Sequence, residues 1–522
     1  MKMTRSDGLH GDGADVGRQR VLIDGESLGI ADVVAVARQR ATVALSADAE
    51  AKVAAAATAL EALLRSGRVV YGLNTGFGRL FDVAIPFEDL RQLQVNLVRS
   101  HSAGVGEPLP AEAVRASMLL RANALAKGYS GISRATLDVL LGMLNADVLP
   151  VVPAQGSVGA SGDLAPSAHI ALAVIGEGEV IYRGHRLPAK LALAEAGLAP
   201  AQLGPKEGLA LLNGTATMTG IGALALADAA NLARAADIAA ALTYEAAEAD
   251  PNVLDPRVHR VRPHPGQMES AANIRALLAG SSLFEGQPCA VQDPYSLRCA
   301  PQVHGAARDA LAHARRVVEI EMNSANDNPL LFPAEGDVIC AGNFHGEPVA
   351  MALDFAAVGL AELANISERR TDRLMAGGRR LPRFLIRHEG LNSGLMLAQY
   401  TAAALVSENK LLASPASVDS IPTSAGQEDH VSMGTIAARK SRQVLGNSQR
   451  VLAIELLAAA QALDLLARQR LGVGTDAARA AVRRRVPFIE KDRPLAPEIE
   501  ALAAALASGE LVAEVQEVVA LN

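Results

Sequence analysis

Long runs of alanine and leucine at residues 221–249, 305–323, 349–375 and 444–470 set the tightest limit on the fold. Their apolar positions recur at helical spacing, and most outrun an ordinary globular helix. Charges such as Asp228, Arg234 and Asp237 interrupt them too often for a bilayer. They read as bundle helices packed on more than one side. Composition agrees: of 522 residues 50% are hydrophobic but only 3% aromatic, with no tryptophan, so the interior is aliphatic. The expected fold is mainly α, a long-helix bundle core with a smaller mixed N-terminal region.

The division expected is a disordered tail at 1–20, a mixed domain at 21–213 and the bundle at 214–522. Residues 42–66 read as one helix, with Leu60, Leu63 and Leu64 on one face and Gly67 as a stop. The first 20 residues are polar, without the apolar stretch of a signal peptide or anchor. A net charge of −7 with basic residues scattered among acids leaves no footprint for nucleic acid. Cys289, Cys299 and Cys340 lack C-x-x-C spacing, which argues against a disulfide framework or thiolate metal site and suits a reducing cytoplasm.

Nearly every chemically suggestive residue falls in the Gly-rich connections. The run Gly156-Ser-Val-Gly-Ala-Ser-Gly-Asp-Leu-Ala-Pro166 has glycine at every third position up to Gly162. That spacing fits neither G-x-G-x-x-G nor the phosphate loop G-x-x-x-x-G-K-[ST]. Asp163 stands where a serine-hydrolase elbow requires glycine. A plain turn closed by Pro166 is one reading. The other is chemical: if the Gly162 nitrogen attacks the Ala160 carbonyl and two waters leave, one carrying the Ser161 hydroxyl, the product is 4-methylideneimidazol-5-one, a strong electrophile. Gly162 lets the chain bend tightly enough for that attack.

Further blocks supply a context. They are Tyr71-Gly-Leu-Asn-Thr-Gly-Phe-Gly78, Asn96-Leu-Val-Arg-Ser-His-Ser-Ala-Gly104, Leu212-Asn213-Gly214-Thr215 and Gln292-Asp-Pro-Tyr-Ser-Leu-Arg298. Asn326-Asp-Asn-Pro329, Gly342-Asn-Phe-His-Gly-Glu-Pro348 and Gln427-Glu-Asp-His-Val-Ser432 follow. In order, from about residue 21 to about 512, they resemble the aromatic amino acid ammonia-lyase family. The resemblance implies a prosthetic group built from Ala160, Ser161 and Gly162, with no metal and no diffusible cofactor. It also implies a cytoplasmic homotetramer whose active sites are each assembled from three subunits around a small amino acid substrate.

The resemblance further implies roles. Tyr71 would take the substrate's β-proton, which for a phenol titrating near 10 requires nearby positive charge or donated hydrogen bonds. Tyr295 would attend the amine or the prosthetic group. Arg298, three residues on, would grip the carboxylate with its planar fork. Asn213 would donate to the ring carbonyl, Phe344 would line or cover the ring, and Gln292, Asn328 and Gln427 complete the substrate pocket. Ser100-His101 and Gln427-Glu428 resemble the branch of the family that acts on histidine, where Glu428 would accept the imidazole N–H.

Other features pull differently. Gly426 stands where that branch commonly has asparagine, and the segment 280–292 is short. Residues 96–106, 262–267 and 433–439 resemble tyrosine lyases and aminomutases. The alternatives that stay open are a tyrosine or phenylalanine lyase or aminomutase, and a helical scaffold or ligand-binding protein that keeps the fold without catalysis.

Overall fold

Each long alanine–leucine run folds as a helix, and each helix begins before its run does. In the computed structural model, which describes residues 19–285, 291–378, 380–466 and 470–522, they are Ala216–Ala247, Ala300–Met322, Glu347–Met375 and Gly434–Leu466. Pro301 and Pro348 occupy first turns, where the missing N–H costs nothing and the fixed φ suits the helix. Glu347–Met375 packs on Gly434–Leu466 and Ala300–Met322, while Ala216–Ala247 packs on Gly434–Leu466 and the shorter Ala111–Ala126. Fully buried alanines such as Ala236, Ala240, Ala458 and Ala459 let these axes approach closely. Glu347–Met375 is long and apolar enough to cross a bilayer, contrary to the sequence reading, but 72% of its most apolar window is buried within the protein.

Before residue 214, short strands alternate with helices. Arg20–Ile23 pairs in parallel with Thr42–Leu45, Arg20 lying opposite Thr42. The single helix expected over 42–66 is therefore corrected to a strand followed by helix Ala47–Arg65. The boundary is Ser46, whose backbone is extended and whose side-chain oxygen accepts the Ala49 N–H at 3.1 Å, capping the helix. Thr42–Leu45 is too short for its alternation to stand out, and its partner strand lies outside the window a periodicity argument uses. Of the tail expected at 1–20, residues 1–18 lie outside the described residues and Arg20 already belongs to a strand. Strand Pro153–Gln155, paired with Val105–Pro108, leads into the Gly-rich loop, and helix Leu164–Val174 leads out of it.

A single apolar cluster runs from Val21 to Leu521, and charges cross its centre. His304 Nδ1 is 2.8 Å from Asp237 Oδ1, and Arg308 reaches the other Asp237 oxygen at 2.6 Å. Arg370 donates to both oxygens of Glu455 at 2.5 and 2.8 Å and to His304 Nε2 at 3.3 Å. Arginine has no acceptor, so His304 Nε2 must accept and Nδ1–H must donate to Asp237. The imidazole is thus neutral, in line with the lowering that burial imposes on it. Burial pushes the Asp237 carboxyl up, but Arg308 and His304 pull it further the other way, to about 2.

An unfolded aspartate titrates near 3.9, so the stability linked to Asp237 is present above that value and is lost as pH falls toward 2. Asp237→Asn leaves Arg308 facing a neutral amide and should cost about 3 kcal/mol at neutral pH. In urea titrations the gap from wild type should narrow between pH 5 and pH 3. A gap that is absent, or that widens on acidification, contradicts the assignment.

Candidate active site

Eight of the residues expected to act together surround one cavity of about 710 Å³: Tyr71, His101, Ser161, Asn213, Asn328, Phe344, Gln427 and Glu428. Leu97, Leu164, Leu209 and Leu212 complete an apolar wall. The cavity is an apolar room with a few polar groups aimed inward, the usual form of a small-molecule site.

The tripeptide at its base is held by backbone. Gly162, at φ +77°, lies so near Gly214 that a Cβ would stand 2.1 Å from the Gly214 oxygen, so only glycine fits there. The Asp163 N–H donates to that same oxygen at 2.7 Å, and the Gly214 N–H donates to the Ser161 carbonyl at 3.1 Å. Were the Asn213 amide oxygen to face that carbonyl, two lone pairs would oppose each other. In the other orientation its nitrogen donates to Ser161 O at 3.2 Å and its oxygen accepts from Asn328 N–H at 2.9 Å. Ser161 O is the oxygen that stays on the ring if Gly162 closes on Ala160, because the Ala160 oxygen leaves as water. The residues present therefore fit a 4-methylideneimidazol-5-one: a glycine cradle around the three residues, and two donors on its ring oxygen.

Asp163, which the sequence reading passed over, ties this loop to the bundle. One oxygen accepts the N–H groups of Thr217 and Met218 at 2.8 and 2.9 Å, at the start of helix Ala216–Ala247, and the other accepts the Thr435 hydroxyl at 2.6 Å. Complete burial raises its carboxyl to about 6 against these bonds. Its place directly after Gly162 was the available signal.

Across the cavity, the segment 71–78 folds against the loop carrying Glu428. The Gly78 N–H donates to the Tyr71 hydroxyl at 3.1 Å, and the Arg79 N–H donates to Ser424 Oγ at 3.2 Å. Burial raises the Tyr71 hydroxyl above its ordinary value, the Gly78 N–H opposes this, and Glu428 adds to the rise. Among the described residues these neighbours keep the phenol protonated at neutral pH. The Thr423 hydroxyl donates to Glu428 Oε2 at 2.7 Å, which orients the carboxylate. Burial lowers His101, more than Glu428 raises it, so its ring is neutral near pH 7. Gly426 has φ +83° with nothing among the described residues near a Cβ, a conformation that asparagine also tolerates.

Tyr295, Arg298 and Gln292 do not join this cavity. Tyr295 is 71% exposed and borders a second one with Ser296, Arg369 and Arg373. The helical turn expected is present as Tyr295–Arg298, with the Arg298 guanidinium 4.9 Å from the Tyr295 ring centre. Two residues not singled out in the sequence hold this turn from behind. The Tyr244 hydroxyl donates to Leu297 O at 2.5 Å, and Arg370 Nη1 to Ser296 O at 3.5 Å. Their only signal was a tyrosine and an arginine inside apolar runs. Cys299 and Cys340 are free thiols, Cys340 on the cavity wall, and Cys289 lies outside the described residues. Among the described residues no group of three or more His, Cys, Asp or Glu is placed to hold a metal ion.

A long-helix bundle that clamps an Ala-Ser-Gly loop beneath a tyrosine is the plan of the aromatic amino acid lyases. The family profile described as "Aromatic amino acid lyase" matches residues 28–484, and the chain belongs to that family. It is 55% identical over 500 residues to the histidine ammonia-lyase of Symbiobacterium thermophilum, covering 95% of this chain and 98% of that one. The crystal structure of histidine ammonia-lyase from Trypanosoma cruzi superposes with a TM-score of 0.90 at 44% identity, covering 96% of each chain. A tyrosine aminomutase from Streptomyces globisporus gives 0.92 at 40% identity, covering 96% of this chain and 99% of that one.

If Tyr244 steadies the turn that presents Arg298, Tyr244→Phe removes one hydrogen bond of about 1 kcal/mol. Steady-state kinetics should show KM raised about five-fold with kcat nearly unchanged. An unchanged KM would detach Tyr244 from the turn's function.

Proposed function

We propose that this protein eliminates ammonia from L-histidine to give trans-urocanate. The observation that carries the reading is the placement of His101 and Glu428 together on the wall of the cavity that holds Ser161. Imidazole needs both a hydrogen-bonding ring partner and a carboxylate to accept its N–H. When formed from Ala160, Ser161 and Gly162, 4-methylideneimidazol-5-one would supply the electrophilic carbon that the elimination of an amine requires.

The chain's own groups divide the remaining work. Asn213 and the Gly214 N–H fix the Ser161 oxygen and meet negative charge there. Tyr71 receives the β-proton, Phe344 and the leucines exclude water, and Gln427 and Asn328 border the substrate. Arg298 binds the carboxylate, with Gln292 and Tyr295 beside it, and brings the positive charge that Tyr71 lacks within one chain.

That last step requires other copies of the chain. Tyr295 and Arg298 lie off the Tyr71 cavity, and Met351, Phe355 and Val358 form an exposed apolar face on helix Glu347–Met375 at 59%, 50% and 40% exposure, the mark of an interaction surface. In this reading the protein is a cytoplasmic homotetramer with sites shared among three subunits. Residues 21–213 form the part that carries the electrophile, and 214–522 form the bundle that presents Arg298 to a neighbour. A tyrosine lyase or aminomutase is the second reading, favoured by the likeness to the Streptomyces enzyme.

Incubation with each amino acid and identification of the product separates the two: urocanate is expected from histidine, while coumarate or β-tyrosine from tyrosine with no turnover of histidine refutes the proposal. Ser161→Ala and Arg298→Ala should each lose activity by at least about 100-fold. Co-expression of the two inactive variants should restore part of it, because mixed assemblies contain some sites with both residues intact. Absence of recovery in verified mixed oligomers contradicts shared sites.

A further inference from the structure

Arg121 is 2% exposed on helix Ala111–Ala126. Nη1 donates to the Asn213 carbonyl at 2.7 Å, while Nε and Nη2 are buried without a partner among the described residues. A desolvated guanidinium with idle donors is costly, and leucine or methionine would fill an apolar helix face without that cost. Nη2 and Asn326 Oδ1 lie 2.9 and 2.4 Å from where a Cβ on Gly214 would stand, so the cation sits directly behind the Asn213–Gly214 peptide. Burial lowers the guanidinium from its ordinary value, and the charges of Asp327 and Asp163 oppose that lowering; an arginine remains a cation throughout.

That peptide has two ends. Its oxygen accepts from Arg121 and its N–H donates to Ser161 O at 3.1 Å. A cation on the oxygen draws electrons through the amide and strengthens the N–H as a donor. Ser161 O is where charge gathers as the prosthetic group forms. Ring closure makes the Gly162 N to Ala160 C bond, and the Ala160 oxygen leaves as water with the protons of Gly162 N and Ser161 N. The second dehydration takes the Ser161 Hα, makes the Cα=Cβ bond and breaks Cβ–Oγ, proton and hydroxide leaving as water. Within that second dehydration, after the Hα is removed and before the hydroxide departs, the electron pair rests on the Ser161 carbonyl as an enolate.

We infer that Arg121 is a positioning residue for self-processing: through the Asn213–Gly214 peptide it stabilises the Ser161 enolate and so drives the second loss of water. The inference rests on the lyase reading above and adds to it a residue that touches neither substrate nor ring. Intact-mass time courses after induction, on the full-length chain, test it. Wild type should become two waters lighter. Arg121→Met should lose the second water at least about ten-fold more slowly, accumulating a species one water lighter, and Arg121→Lys, which keeps the cation, should recover most of the rate. Arg121→Gln keeps a donor but no charge, and serves if the methionine variant fails to fold; circular dichroism and thermal unfolding establish which variants are native. A native Arg121→Met or Arg121→Gln that loses both waters at the wild-type rate overturns the inference while leaving the lyase reading standing. A wild-type chain that retains both waters overturns the lyase reading and this inference with it.

Discussion

Gly162 and Gly214 touch backbone to backbone, with no room for a Cβ on either, and the rest of the site is arranged around that contact. It sets the Gly214 N–H and the Asn213 amide on the Ser161 carbonyl. It also places Asp163 where it can cap helix Ala216–Ala247, so the reactive loop and the longest element of the N-terminal half of the bundle share one anchor. The loop is therefore held by rigid elements on both sides, strand Pro153–Gln155 before it and helix Leu164–Val174 after it. A strained backbone persists only when its surroundings over-determine it.

The electrostatics divide along the same line. Below the cavity the charges are buried: Lys206 pairs with Asp327 at 2.6 Å, and Arg121 bonds the Asn213 carbonyl through Nη1 and feels the charges of Asp327 and Asp163. Above it the groups are half-buried and adjustable: Tyr71, His101, and Glu428 held by Thr423. In the proposed reading the lower set fixes where charge can develop, and the upper set selects which side chain is presented to it. Tyr71 as it stands in one chain has its proton held on by burial and by Glu428. In the proposed reading, the group that would release that proton is Arg298, which lies off the Tyr71 cavity in one chain.

Much of this could be read in the amino-acid order, for physical reasons that differ by element. The bundle helices were legible because periodic alanine and leucine act locally, yet their starts were not: residues 434–443 open on Gly434 and carry Arg439, Lys440 and Arg442 in place of the alanine–leucine run, and tertiary contacts complete the helix there. Thr42–Leu45 was misread because its partner strand is distant in sequence. The motifs placed Tyr71, His101, Ser161, Asn213, Asn328, Phe344, Gln427 and Glu428, which do meet in one cavity. Arg121 was invisible because its partner, the Asn213 carbonyl, lies 92 residues away, and a lone arginine in an apolar run gives no hint of which backbone group it serves.

The claim on which the account turns is covalent, and mass spectrometry reads it directly. The peptide spanning Ala160, Ser161 and Gly162, taken from freshly purified protein that releases ammonia from histidine, should weigh two water molecules less than its sequence. An unmodified peptide in fully active protein would contradict the account.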